Sequence, residues 1–582
     1  MAMFFLLQGC GNENVGAEES GDVIIGITDA EGDFLNYAVD VTGLTLTKAS
    51  GAVVDVLPVN TRIDFAQLTE MTEFFTAATI PEGRYVKATM ILDYSNADVQ
   101  VEDANGNPVP VTVQDSNGNP LTTWEVAVNL SNANALVIAP GVPAHLTLDF
   151  DLNASHTVDV AQAEAIAQPV LVADVKLADP KPHRVRGLLQ TVDQGAGTIR
   201  MNLRPFFHQT GHFGAFTAYV NSSTVYEIDG ASYTGGAGLT AQAQQAANSW
   251  VVVYGELNTV TKHFEATEVY AGSSVPGADK DVVTGVVLSR AGDMLMVNAG
   301  SIVRTDGSLV FNKNVTVTLD ANTIVKRQLS TSDYTKDDIS VGQRIVLWGT
   351  LNSAADTMNA PAHLRMLLNQ FTGTVVSNAG GELVMDLQRL NGRLPAQFNF
   401  SGTGTTGADD ADPDQYQVDL GTLTPSVTAG DPVKVRGFVR PFGSAPLDFE
   451  ATTVIDVADV PAVLVAGWGL GTPAPFTAAD NSLLVLNDQG MGLLHHVSRA
   501  WVNIDLWDDN QATSLVPTPN GRGIFAINQA GTIYVYFTFS EFVTAVNEQI
   551  SAGRKTQRIW AVGAFDDDSE TLTTTGATLV MF

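Results

Sequence analysis

The sequence predicts an all-β protein of several domains: an N-terminal β-sandwich, then about four tandem small β-barrels, with few short helices. Three observations point there. Apolar residues recur at intervals of two or nearly two, as in Val39, Val41, Leu44 and Leu46 and in Leu146-Thr147-Leu148-Asp149-Phe150-Asp151-Leu152, which is the period of strands. Turn chemistry punctuates the runs, as in Asp103-Ala104-Asn105-Gly106-Asn107-Pro108 and Asp115-Ser116-Asn117-Gly118-Asn119-Pro120, where Asn-Gly favours tight hairpins. A pair of glycine patterns returns every ~90–100 residues in the second part of the chain, the size of a small domain rather than a solenoid repeat.

The bulk composition agrees. The chain has 582 residues, 45% of them hydrophobic and only 16% charged, so its surfaces rely on Thr, Ser, Asn, Gln and Gly, as exposed sheet faces and turns do. There are 63 acidic and 30 basic residues, a net charge of −33. Nucleic-acid affinity comes from Lys and Arg neutralising phosphates, so no nucleic-acid partner is expected.

Met1 to Cys10 read MAMFFLLQGC, an apolar run ending in Gly9 and the only cysteine, followed by polar Gly11-Asn12-Glu13-Asn14. This resembles the end of a bacterial lipoprotein signal peptide. The resemblance implies a lipid on Cys10, export, and a membrane as the first partner. The charged front of such a signal is missing, so the true start is expected upstream. Gly11 stands where inner-membrane lipoproteins commonly carry Asp, which points to the outer membrane or cell surface. Residues 1–10 are then a remnant signal and 11–20 a tether.

Residues 21–178 form the expected sandwich. Ile27-Thr28-Asp29-Ala30 with Gly32-Asp33, Ile80-Pro81-Glu82-Gly83-Arg84-Tyr85, Leu148-Asp149-Phe150-Asp151 and Pro169-Val170-Leu171 resemble the family called domain of unknown function 4382. That family occurs in secreted proteins and lipoproteins, so the resemblance implies location more than activity.

The four repeats are expected at 183–272, 281–367, 369–456 and, more divergent, 462–582. Each opens on an apolar-x-Gly-apolar pattern: Val185-Arg186-Gly187-Leu188, Val283-Thr284-Gly285-Val286, Phe371-Thr372-Gly373-Thr374-Val375 and, weaker, Val465-Ala466-Gly467-Trp468. Three close on Val253-Tyr254-Gly255, Leu347-Trp348-Gly349 and Val435-Arg436-Gly437; Val562-Gly563 fits the end of the fourth. Seven residues before the first three closing glycines stand Asn248, Gly342 and Gly430, residues that tolerate positive φ. Phe264-Glu265-Ala266-Thr267 is echoed by Phe449-Glu450-Ala451-Thr452. Glycine inside a strand suggests a sharp bend, as where a small barrel coils shut. The units resemble a second family, domain of unknown function 5666, whose strand pattern implies oligonucleotide/oligosaccharide-binding-like barrels. Helices are expected over Ala241 to Ala247 and over Glu541 to Ile550, capped by Ser540. Boundaries fall near Ala271 to Lys280, a Gly/Ser/Pro stretch that reads as a cleavable linker, near Leu368, and near Asp456 to Pro461. Stiff joints would string the units into a rod.

Chemistry-bearing motifs are few. Gly402-Thr403-Gly404-Thr405-Thr406-Gly407 spells a dinucleotide fingerprint, but the Asp-rich run after it cannot open the required helix; a loop is expected. Asp103-x-Asn105-x-Asn107 and Asp115-x-Asn117-x-Asn119 mimic calcium loops yet have Pro where Gly is needed; they read as turns. Asp409, Asp410, Asp412 and Asp414 offer a loose calcium site, with a solvated loop the simpler expectation. His208 and His212 flank Gly211, and zinc would need a third ligand. No hydrolase elbow, Walker loop or metalloprotease motif is present. Catalytic residues and cofactors are therefore expected to be none. The expected role is a non-catalytic surface or periplasmic scaffold or spacer for protein contacts; the alternatives are a glycan-binding array, if tryptophans stack on sugars, and an undetected carboxylate-based hydrolase.

Overall fold

The computed structural model describes residues 19–582 apart from 168–181 and shorter stretches at 29–33, 69–70, 104–106, 116–117, 131–135, 141–143, 151, 153–155, 160–162, 259–260, 262, 278, 457–461, 490, 492–494, 500–501, 507–511, 530–531 and 567–568. Among the described residues the regular structure is nearly all strand. In the N-terminal region, Ser20–Thr28 lies between Thr72–Pro81, antiparallel, and Ala144–Asp149, parallel. A second sheet is built on the long pair Phe34–Lys48 and Gly83–Glu102. Alternation places Val23, Ile25 and Ile27 from the first sheet against Val39, Val41, Leu44 and Met90 from the second in one core, as a sandwich requires.

The first sheet does not stop at the end of the sandwich. Thr72 and Glu73 pair in parallel with His183 and Arg184, so the sheet runs on into the first repeat, and one apolar core spans both. The third repeat is a closed barrel in the order Asn369–Ala379, Glu382–Leu390, Tyr416–Asp419, Phe449–Asp456, Pro432–Val439. Its third and fifth strands pair in parallel. The first repeat has the same neighbours, with Ala215–Tyr219 parallel to Phe264–Ala271 and Trp250–Leu257 returning to His183–Asp193. In the second the last strand is broken into Thr357–Asn359 and His363–Met366. In the fourth the first strand gives way to Phe476–Asp480, and a hairpin and a helix are inserted before Thr556–Asp566. The echoed Phe-Glu-Ala-Thr opens the fifth strand in the first and third units.

Five of the repeated glycines sit where strands bulge. Register slips at Gly255, Gly285, Gly373, Gly437 and Gly563. At each, a Cβ would overlap a backbone carbonyl of the facing strand. The bulge turns the strand around a barrel too narrow for a flat sheet. Gly349 is looser, with Met358 Sδ at 3.1 Å from the place of a Cβ. Seven residues earlier the expectation also holds: Asn248, Gly342 and Gly430 have φ of 65°, 86° and 97°. In each unit this residue's N–H donates to the carbonyl two residues past the opening glycine: Asn248 to Leu189, Gly342 to Val287 and Gly430 to Val375, all at 2.8 Å.

Other expectations are corrected. The stretch after Ala271 is no free linker. Ser274 and Val275 are buried, Arg365 Nη2 donates to the Ser274 carbonyl at 2.9 Å, and Arg186 Nη1 donates to that of Pro276 at 2.8 Å. A chain cut there would lose a packed joint. The units are not strung as a rod either, because the sandwich touches the second and third: Asn312 Nδ2 donates to Gln100 Oε1 at 2.9 Å, and Arg389 reaches Glu102 at 3.5 Å. The first helix is Gly235–Gln242, earlier than expected. Its glycines hid it, having low helix propensity, yet Gly238 is what lets it lie against the Tyr226 ring. The second is Phe539–Ser551, and its cap is Thr538 rather than Ser540. Thr538 Oγ1 accepts from the Glu541 N–H at 3.3 Å and donates to the Glu541 carboxylate at 2.9 Å, a reciprocal cap.

Candidate functional site

The aspartates singled out for chemistry are held by their own loops. Asp409 accepts from the hydroxyls of Thr405 and Thr406, and Asp410 Oδ1 accepts from the N–H groups of Gly402 and Gly404 at 2.9 Å. Asp412 accepts from the Asp414 N–H at 3.1 Å. The fingerprint-like glycines thus wrap a carboxylate of their own chain. Among the described residues no three His, Cys, Asp or Glu side chains group as a metal site. The turns at Asp103 and Asp115 are alike: each carboxylate accepts from the N–H four residues on, at 2.7 and 2.9 Å. Cys10 lies outside the described residues.

His208 and His212 take different places. His208 Nε2 is 3.0 Å from Thr61 Oγ1, its ring packs on Phe213, and burial lowers its pKa. His212 lines an open cleft of about 790 Å³ with Asp55, Thr79, Asn202 and Arg204. Another histidine belongs to the sandwich core. His156 Nδ1 donates to the Leu152 carbonyl at 2.8 Å, so Nε2 accepts from the Tyr37 hydroxyl, 2.7 Å away, which in turn accepts from Tyr94. Burial drives the His156 pKa down to about 3, and the ring stays neutral. The described tryptophans are buried or half-buried: Trp468 Nε1 donates to the Asn487 carbonyl, and Trp348 stacks on His363 with centroids 4.2 Å apart.

Two arrangements were not anticipated. The first is a buried ionic joint between the first and second repeats. Arg365, 1% exposed, donates to Glu227 Oε2 through Nη2 at 2.7 Å and Nε at 3.2 Å. Its guanidinium lies 3.5 Å from the centre of the Tyr270 ring. His363 Nε2 is 2.9 Å from Glu227 Oε1. Burial alone would push the Glu227 carboxyl up, but Arg365 and His363 overcome it and hold the pKa at about 2. Nearby Glu268 has no such partner on its second oxygen, and burial pushes it up to about 7. The available signal was His363-Leu364-Arg365-Met366, an arginine inside an apolar strand of a charge-poor chain.

The second arrangement is the hairpin Arg522–Gln529 and Thr532–Thr538 in the fourth repeat. One face packs Phe525 and Tyr536 against Phe542 of the helix. The other leaves Ile524, Val535 and Phe537 at 70%, 50% and 67% exposure. Thr532–Thr538 pairs only with Arg522–Gln529, and its other edge has no strand partner among the described residues.

No curated protein matches this chain. A solved structure of drosophila Unr CSD456 is similar at 10% identity over 47% of this chain and 97% of that one, with a TM-score of 0.12. At that score the likeness carries no argument about fold. Residues 20–169 match the family described as Domain of unknown function (DUF4382), and the N-terminal sandwich is the part of the chain that this family describes.

Proposed function

We propose that this protein is a non-catalytic scaffold, exported and held to a membrane by a lipid on Cys10, that receives an extended segment of a partner protein on the edge strand Thr532–Thr538. The uncovered hairpin carries the proposal. An edge strand with no charge, no proline and an apolar outer face is a template for strand addition. The net charge of −33 works against self-association and against anionic lipid headgroups, which favours a different protein as the occupant. The DUF4382 match at the N-terminus supports an exported location, and the resemblance of the repeats to a second family belongs to the same proposal. The aspartates considered above are engaged within their own loops, which supports a binding role over a hydrolytic one.

Two experiments test this. Val535→Lys with Phe537→Lys alters only exposed side chains, so circular dichroism and the thermal midpoint should stay within error of wild type. Cross-linking on intact cells should then lose a species that the wild type forms. Retention of every cross-linked species would refute the edge-strand role, and so would a loss that liposomes of anionic lipid alone reproduce. Separately, Cys10→Ser, made in the gene with its upstream start, should move the protein from the membrane to the soluble fraction. Unchanged fractionation would remove the lipid anchor from the proposal.

A further inference from the structure

Arg186 belongs to the opening pattern of the first repeat, where its neighbour Gly187 draws the attention. Its side chain is 3% exposed in a protein with only 30 basic residues. The guanidinium packs on two aromatic rings, 4.6 Å from the centre of Phe207 and 4.4 Å from that of Trp250. Such contacts engage a guanidinium through its face and leave its edges for hydrogen bonds. One edge is used: Nη1 donates to the Pro276 carbonyl at 2.8 Å. Among the described residues Nε and Nη2 have no hydrogen-bond partner. These two nitrogens form the side-on fork with which arginine holds a carboxylate, phosphate or sulfate through two parallel bonds.

Two carboxylates paired with arginines of this region are already engaged: Glu73 bonds Arg184 at 2.6 Å, while its charge still reaches Arg186, and Glu227 bonds Arg365 at 2.7 Å. Arg186 lines a cavity of about 40 Å³ where the sandwich and the first two repeats meet, together with Arg184, Tyr254, Tyr270, Arg344 and Arg365. Four arginines thus line one small cavity of an acidic protein, two of them, Arg184 and Arg365, paired with Glu73 and Glu227. Burial, with Arg184 adding to it, lowers the Arg186 pKa to about 9, so the group is still a cation at neutral pH. A buried cation with two open donors is costly unless an acceptor is supplied. The volume admits one small group or a few waters.

We propose that this cavity binds a small oxyanion, held side-on by Nε and Nη2 of Arg186 and favoured by Arg184 and Arg344, and that the bound anion clamps the sandwich to the first two repeats. The site is independent of the hairpin and of the lipid anchor.

The test uses the full chain with inorganic phosphate, sulfate and acetate as probes, each against chloride at matched ionic strength. Thermal unfolding of the wild type should shift upward saturably with at least one oxyanion, and titration calorimetry should give one site per chain. The phosphate and acetate arms distinguish a tetrahedral from a planar ligand. Arg186→Gln should weaken the apparent affinity by on the order of tenfold or more. Arg186→Lys, which keeps the charge and loses the fork, should weaken it too. Arg200→Gln, at an exposed arginine, should bind as wild type does. A shift that follows ionic strength alone would overturn the proposal, as would equal shifts in wild type and Arg186→Lys. If Arg186→Gln does not fold, the wild-type titration and the Lys variant still decide it.

Discussion

Arg365→Ala is expected to destabilise the protein by about 3–5 kcal/mol and to separate the unfolding of the second repeat from that of the first. Arg365 stands on His363–Met366 of the second repeat and Glu227 on Val225–Ile228 of the first, so their bond crosses the joint. Truncating the arginine leaves a carboxylate with 6% side-chain exposure and no strong counter-charge, and the same cut frees the Ser274 carbonyl. Calorimetry should resolve two transitions where the wild type shows these units melting together. The double variant Glu227→Leu with Arg365→Met should recover most of the loss, because an apolar pair needs no desolvation of charge. The pH dependence follows from the same pair. The Glu227 carboxyl is held at about 2 in the folded protein, below its unfolded value near ~4.3. Its contribution is therefore complete above about pH 4.3 and is lost as pH falls through about 2. Arg365→Ala should flatten stability across that window; an unchanged acid limb and a single transition would contradict the assigned role.

Gly437→Val is expected to cost about 2–3 kcal/mol, read as a lower denaturant midpoint for the third repeat. Gly437 sits at the slip between Pro432–Val439 and Phe449–Asp456, facing the Glu450 carbonyl and the Phe449 ring. A Cβ there overlaps backbone, so the bulge itself must open and the closed barrel with it. The cause is close approach, since the φ of Gly437 is not in the left-handed region. Gly349→Ala provides the contrast. Its nearest neighbours are the flexible Met358 side chain and Pro361 Cα at 3.1 and 3.2 Å, and a loss of about 1 kcal/mol or less is expected. Equal losses at the two positions would show that strand curvature does not depend on the glycine.

Much of the barrel design was legible. Gly255, Gly285, Gly373 and Gly437 mark bulges, and Asn248, Gly342 and Gly430 mark the left-handed residue that ties back to the opening strand of each unit. The repeated Phe-Glu-Ala-Thr marks the fifth strand. These features are local. A positive φ or a missing Cβ restricts residue type at one position, and the first three units repeat the restriction. The candidate metal residues were less informative, because whether Asp410 faces a cation or its own loop depends on where Gly402 and Gly404 point their N–H groups.

What escaped the sequence is contact between units. Glu227 and Arg365 are 138 residues apart, and Glu102 and Arg389 are 287 apart. No periodicity records such pairs, since any carboxylate among 63 is a possible partner for any of 30 cations. The same holds for Thr72 pairing with His183, which carries the sandwich sheet into the first barrel, and for Arg186, whose two open donors appear only once Phe207, Trp250 and Pro276 close around it. Backbone restrictions and hydrophobic period act within a strand or a turn and so leave a local trace in residue type. Partner choice in a folded interior depends on burial, which strips water from a charge and obliges it to find whichever group the packing brings near. The strands and their bends could therefore be read along the chain, while the joints that make one body of the units were decided by tertiary structure.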